Sequence, residues 1–108
     1  MPSQLEVFYR EGHKGDTVPP LLFVHGAYCG GWVWETYFTP WLAERGWDCH
    51  ALSLEGHGES EGHVWLSALG VDDFVRNLKA TIDTLPRPPV LIGHSMGGLV
   101  IQRYLEMY

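Results

Sequence analysis

Residues 89–100 constrain this chain more than any other stretch: Pro89-Val90-Leu91-Ile92-Gly93-His94-Ser95-Met96-Gly97-Gly98-Leu99-Val100. The segment reads as a short apolar strand rich in β-branched residues, an abrupt turn built on glycine, and the start of an apolar helix. Hydrogen in place of a side chain at 93 and 97 lets strand and helix approach where any Cβ would collide. The Gly93-x-Ser95-x-Gly97 spacing then lifts one serine to the apex in a strained backbone conformation. Its hydroxyl stands above the sheet, within reach of a base and of a carbonyl carbon. Ser95 is therefore the candidate nucleophile. Leu99, Val100, Ile101, Tyr104 and Leu105, which follow, suit a helix buried on most of its sides.

The chain before this turn alternates strand with helix. Residues 5–10 predict a half-buried strand, and 11–20, with two glycines and two prolines, a loop. Leu21–Val24 is a continuous apolar run, as a central parallel strand covered on both faces requires. Residues 32–45 are aromatic-rich and helical, with Thr39-Pro40 as N-cap and first helical residue, Gly46 as the stop, and 32–38 as a separate turn of helix. Residues 48–54 form the next strand; 61–70 carry no clear period. Val71, Phe74, Val75, Leu78, Ile82 and Leu85 recur at helical spacing, with Asp72, Arg76, Lys79 and Asp83 opposite. Asp72 and Asp73 lie where carboxylates favour the helix dipole, and Pro86 ends the helix.

This order predicts an α/β fold, a mainly parallel sheet with helices on both faces. Chemistry in such sheets gathers beyond the carboxyl ends of the strands. The glycine-rich loops 25–31, 55–60 and 93–98 all leave such ends, and so should converge on one site.

Composition narrows the function further. A chain of 108 residues with 45% hydrophobic content bounds one domain with a real core. A net charge of −6 speaks against a nucleic-acid backbone or an anionic membrane as partner. No apolar run approaches the ~18 residues of a membrane span, and Met1-Pro2-Ser3-Gln4 lacks an export signal. Cys29 and Cys49 are too few for a disulfide framework and are expected as free thiols in a reducing, cytoplasmic compartment. No metal site is expected, because His50, His57 and His63 lack paired-ligand spacing. Strand alternation turns His94 away from the nucleophile and into the core. Trp32, Trp34 and Trp41 are expected to pack the core.

Three ordered motifs carry a resemblance: His25-Gly26 after one apolar strand, Gly56-His57-Gly58-Glu59-Ser60 after the next, and Gly93-His94-Ser95-Met96-Gly97-Gly98. Together they resemble the α/β-hydrolase fold superfamily, over nearly the whole chain from about residue 5. The run from Leu54 to Ser60 is similar to lysophospholipase-like and carboxylesterase-like members. The His25-Gly26-Ala27-x-x-Gly30-Gly31-Trp32 run is similar to the plant methylesterase and hydroxynitrile lyase branch. One departure is Ser53, where many relatives carry aspartate; it should change a local hydrogen bond rather than the chemistry.

The resemblance implies a serine hydrolase acting on carboxylic esters, with a small-molecule ester or acyl substrate and no cofactor. The Met96 N–H would be the first oxyanion donor and Ala27 the second, with Tyr28 next. His25, with Gly26, Gly93 and Gly97, would support the site rather than react, and the His57 loop would be a structural turn. Tyr28 and Cys29 would line the pocket, with nothing to mark an activated thiol. A serine at 95 sets the chain apart from the dehalogenase and epoxide-hydrolase branches, which need aspartate there. The resemblance also implies the chain order serine, acid, histidine. After Ser95 stands one acid, Glu106, about three turns along the helix, and no histidine. The acid and base are thus expected beyond Tyr108. Residues 1–108 would then be a partial hydrolase domain without a second domain, inactive by itself. The alternatives are a lyase or C–C bond hydrolase on the same fold, or a non-catalytic ligand-binding member.

Overall fold

The computed structural model of the chain describes residues 4–108; Met1, Pro2 and Ser3, read above as part of a leaderless N-terminus, lie outside them. Four strands, β1 (Val7–Arg10), β2 (Leu21–Val24), β3 (Cys49–Leu52) and β4 (Val90–Gly93), form one sheet in the order β1-β3-β2-β4. β1 runs antiparallel to β3, and the other pairings are parallel. The register matters most for function: Val24 pairs with both Leu52 and Gly93, so the three parallel strands end level. The loops that follow them leave from one rim.

Helices α1 (Trp32–Glu35), α2 (Thr39–Glu44), α3 (Val71–Asp83) and α4 (Met96–Met107) divide between the two faces. Side-chain alternation along β2 explains the division. Leu22 and Val24 pack with Phe74, Val75 and Leu78 of α3 and Val100 of α4. Leu21 and Phe23 point the other way, toward Trp34 of α1 and Cys49 and Ala51 of β3. Every residue of β2 is buried, as its continuous apolar run requires. After β2 the chain turns to one face and after β4 to the other. The neighbouring ends of these two strands therefore frame the crevice typical of a parallel sheet.

Local structure departs from expectation in three places, and takes a form in 61–70 that no clear period in the sequence predicts. Thr39 is not the N-cap: it is the first residue of α2, buried, and its hydroxyl donates to the Glu35 carboxylate one turn earlier. Of the three clustered tryptophans only Trp34 packs the core, its ring 5.0 Å from that of Phe23. Trp32 and Trp41 are exposed, and Trp41 carries the Arg45 guanidinium 3.5 Å above its ring. α4 is buried along one stripe only, at Gly97 and Val100, because α3 and the sheet are what it packs against among the described residues. Residues His63–Ala68 form a kinked 3-10 segment, tied back by the Trp65 Nε1–H donating to the Glu55 carboxylate at 2.6 Å.

Candidate active site

The glycines of the turn act as the spacing demands. A Cβ on Gly97 would lie 2.1 Å from the Val24 carbonyl oxygen, and one on Gly93 2.8 Å from the backbone of Gly97 and Gly98. With those contacts closed, the chain reverses within three residues. His94 N–H donates to Val24 O at 3.1 Å, and Gly97 N–H donates to His94 O at 2.9 Å. Ser95, caught between, adopts φ 56° and ψ −119°. That conformation is costly for a residue with a side chain, and such strain persists only where the surrounding structure imposes it. Ser95 is exposed.

A second strained residue stands in the loop that touches the first. Cys29 N–H donates to Gly26 O at 3.3 Å, closing a turn over Ala27 and Tyr28 in which Tyr28 takes φ 60°. Among the described residues, Tyr28 and Ser95 are the only non-glycine positions with positive φ. The loops touch: a Cβ on Gly26 would stand 3.3 Å from Ser95 Cβ and 3.4 Å from His94 Nδ1. Neither the Ala27 N–H nor the Met96 N–H has an acceptor among the described residues. Two free donors thus flank the serine turn, the second at the start of α4, where the helix dipole favours negative charge.

His25 holds the first of these loops. It is fully buried; Nε2 accepts the Leu54 N–H at 2.9 Å, so Nδ1 carries the hydrogen that Gly26 O accepts at 2.6 Å. Burial, foremost, lowers its pKa to about 4, with the nearby His57 pushing the same way. With both nitrogens engaged it is a strut between the loops after β2 and β3. Ser53 adds a second tie: its buried hydroxyl accepts the Gly31 N–H at 2.9 Å and donates to the Glu6 carboxylate at 2.7 Å. Glu6 thus supplies a carboxylate to this network from β1's approach, beside the serine that departs from the family pattern.

A cavity of about 460 Å³ opens beside the turn, lined by Ala27, Tyr28, His57, Leu66, Phe74 and Met96 among others. Ser95 itself does not line it; its neighbour Met96 does. Cys29 lies in an adjoining depression with Tyr28 and Trp32. His94 is exposed rather than packed in the core, because β4 is an edge strand and its loop residues meet no cover among the described residues. His50, on β3, pairs with Tyr9 across the antiparallel β1–β3 ladder, their ring centres 4.8 Å apart. Among the described residues no three histidine, cysteine or acidic side chains gather as a metal site requires. Nor is any imidazole among them hydrogen-bonded to Ser95. Sequence reading missed the cavity wall contributed by residues 63–69, for which periodicity offers no signal.

Level parallel strands, a strained serine turn and a second strained loop against it define an α/β protein with a serine raised at the rim of its parallel sheet. The profile of the alpha/beta hydrolase family matches residues 21–107, and the chain belongs to that family. Over 95 residues it is 35% identical to protein phosphatase methylesterase 1 of Mus musculus, a match covering 85% of this chain and 24% of that protein. The thioesterase domain from the curacin biosynthetic pathway superposes with TM-score 0.81 at 27% identity, covering 97% of this chain and 38% of that one. Epoxide hydrolase VrEH1 from Vigna radiata superposes with TM-score 0.79 at 25% identity, covering 94% of this chain and 30% of that one. The chain thus spans about a quarter of the curated methylesterase it matches. No helix among the described residues is long and apolar enough to cross a membrane.

Proposed function

We propose that the protein is a serine hydrolase that acts on small-molecule carboxylic esters or related acyl compounds. The observation that carries this reading is the strained, exposed Ser95 between two free N–H groups, Ala27 on the loop that touches its turn and Met96 at the start of α4. Ser95 Oγ attacks the carbonyl carbon, and its proton passes to a base. The carbonyl π electrons move to oxygen, and the Ala27 and Met96 N–H groups receive the oxyanion. The C–O bond to the alcohol breaks, the alcohol leaves with the proton, and water then cleaves the acyl-enzyme to the acid and free Ser95. Base and orienting carboxylate come, on this reading, from polypeptide following these 108 residues, in line with the small share of the relatives' length the chain spans. His25, Gly26, Gly93 and Gly97 hold the geometry. No cofactor enters the steps, and the free thiols Cys29 and Cys49 suit a cytoplasmic setting.

Acyl chemistry is favoured over epoxide opening by the nucleophile itself. Serine attack on an epoxide would leave an ether that water does not cleave, whereas serine attack on an ester leaves an ester that it does. The methylesterase and thioesterase among the relatives point the same way. In the full-length protein, a fluorophosphonate should modify Ser95, and Ser95→Ala should abolish labelling and lower aryl-ester turnover by about a thousand-fold or more. Labelling that survives in Ser95→Ala overturns the assignment.

A further inference from the structure

Of the polar residues that line this cavity, His57 is the buried one. It is 4% exposed, yet its ring lines the same cavity as Ala27 and Met96. Its Nδ1 lies 2.9 Å from the Glu55 carbonyl oxygen. A carbonyl only accepts, so Nδ1 carries the hydrogen, and Nε2 of the neutral ring is an acceptor. Among the described residues Nε2 has no donor. His25, at 5.0 Å between ring centroids, has none to offer, because both its nitrogens are engaged. Phe74 meets the His57 ring edge-on at 5.7 Å, which holds the acceptor in one orientation. Leu66, Leu69, Phe74 and Met96 make the wall around it apolar, the other polar residues of the lining, Tyr28, His63 and Ser67, are exposed, and no aspartate, glutamate, lysine or arginine lines it. His63 also bonds a carbonyl, Gly58 O at 2.8 Å, but is exposed and can be served by water.

We infer that His57 is a specificity-determining residue, whose Nε2 accepts a hydrogen bond from a hydroxyl or N–H that the substrate carries close to its ester carbonyl. The inference rests on the hydrolase reading and names its substrate class: uncharged esters of moderate size with one such donor beside an apolar group. A substrate that fills the cavity shuts Nε2 off from water, and an acceptor so enclosed is costly to leave unpaired, so the site rejects an analogue that lacks the donor more strongly than an apolar pocket rejects a missing methylene.

The test uses the full-length protein and two substrate pairs. An aryl 3-hydroxybutyrate is compared with the aryl butyrate, and the butyrate monoester of 1,2-propanediol with propyl butyrate. The hydroxylated member of at least one pair should show kcat/KM about ten-fold or more above its partner. His57→Phe should bring that ratio close to one, and His57→Gln, whose amide oxygen can accept, should restore part of it. Should His57→Phe fail to fold, wild-type protein carrying a hydroxylated phosphonate on Ser95 should show the His57 ¹⁵Nε2 resonance upfield of its position in the deoxy adduct. Equal kcat/KM within both pairs, a ratio that survives His57→Phe, or an unshifted resonance overturns the inference while Ser95 labelling still upholds the hydrolase reading. Absence of both labelling and ester turnover in the wild type overturns the two together.

Discussion

His25 shows how a single side chain links the loops to pH. Its Nε2 must stay unprotonated to accept the Leu54 N–H, and burial lowers its pKa from the usual 6.5 to about 4. The unfolded chain therefore takes up a proton that the folded chain refuses. Stability from this residue is complete above pH 6.5, declines as pH falls below that value, and is lost by roughly 3 kcal/mol at about pH 4. Urea midpoints of the wild type and His25→Gln, compared between pH 7.5 and 4, should show that slope in the wild type alone. The variant should begin from a lower midpoint, having lost one strut. Equal slopes would show that His25 is not the group responsible.

Among the elements, α3 is the one that local pattern described best. Its apolar stripe faces the sheet, as the spacing of Phe74, Val75 and Leu78 predicts, and Asp73 closes its first turn by accepting the Gly70 N–H at 2.8 Å. Gly70 has no side chain to cap the helix, so that carboxylate does the larger share. Asp73→Ala should cost about 1 kcal/mol, read from urea unfolding of the full-length protein. α2 and α4 followed local pattern less well. Thr39 is a good capping residue by type, but the Glu35 carboxylate from the preceding turn takes its hydroxyl. The apolar residues of α4 are numerous enough to imply burial on most sides, yet its neighbours among the described residues cover one stripe. Propensity and period report what an element can bury, not what stands beside it.

At the scale of the molecule, the sheet is asymmetric. One edge is β1, and the other is β4, whose outer backbone pairs with nothing among the described residues. Beside it, Val90, Leu99 and Leu105 are 45%, 51% and 64% exposed. An unpaired edge next to an apolar face is a template for association. Produced as 108 residues, the chain should sediment as a concentration-dependent oligomer, and Leu99→Lys with Leu105→Lys should shift it toward the monomer. A monomer across the concentration range would show that this face is innocuous.

Sequence by itself determined the alternation of elements, the buried central strand and the serine turn. Each rests on interactions within a few residues: a run of four apolar side chains, or glycines two positions either side of Ser95 where a Cβ would strike Val24, Gly97 or Gly98. The element order also implies that the loops leaving the strand ends converge, but the tertiary structure alone decided the register that sets Gly26 against Ser95. Level strand ends bring residues 25–31 to Ser95 across some seventy positions of chain, and no local pattern encodes that register. It likewise decided the role of His57, which depends on Phe74, His25 and an irregular segment all arriving around one ring. A 3-10 segment held by single contacts such as Trp65 to Glu55 leaves no period to read, because its residues answer to distant partners rather than to each other.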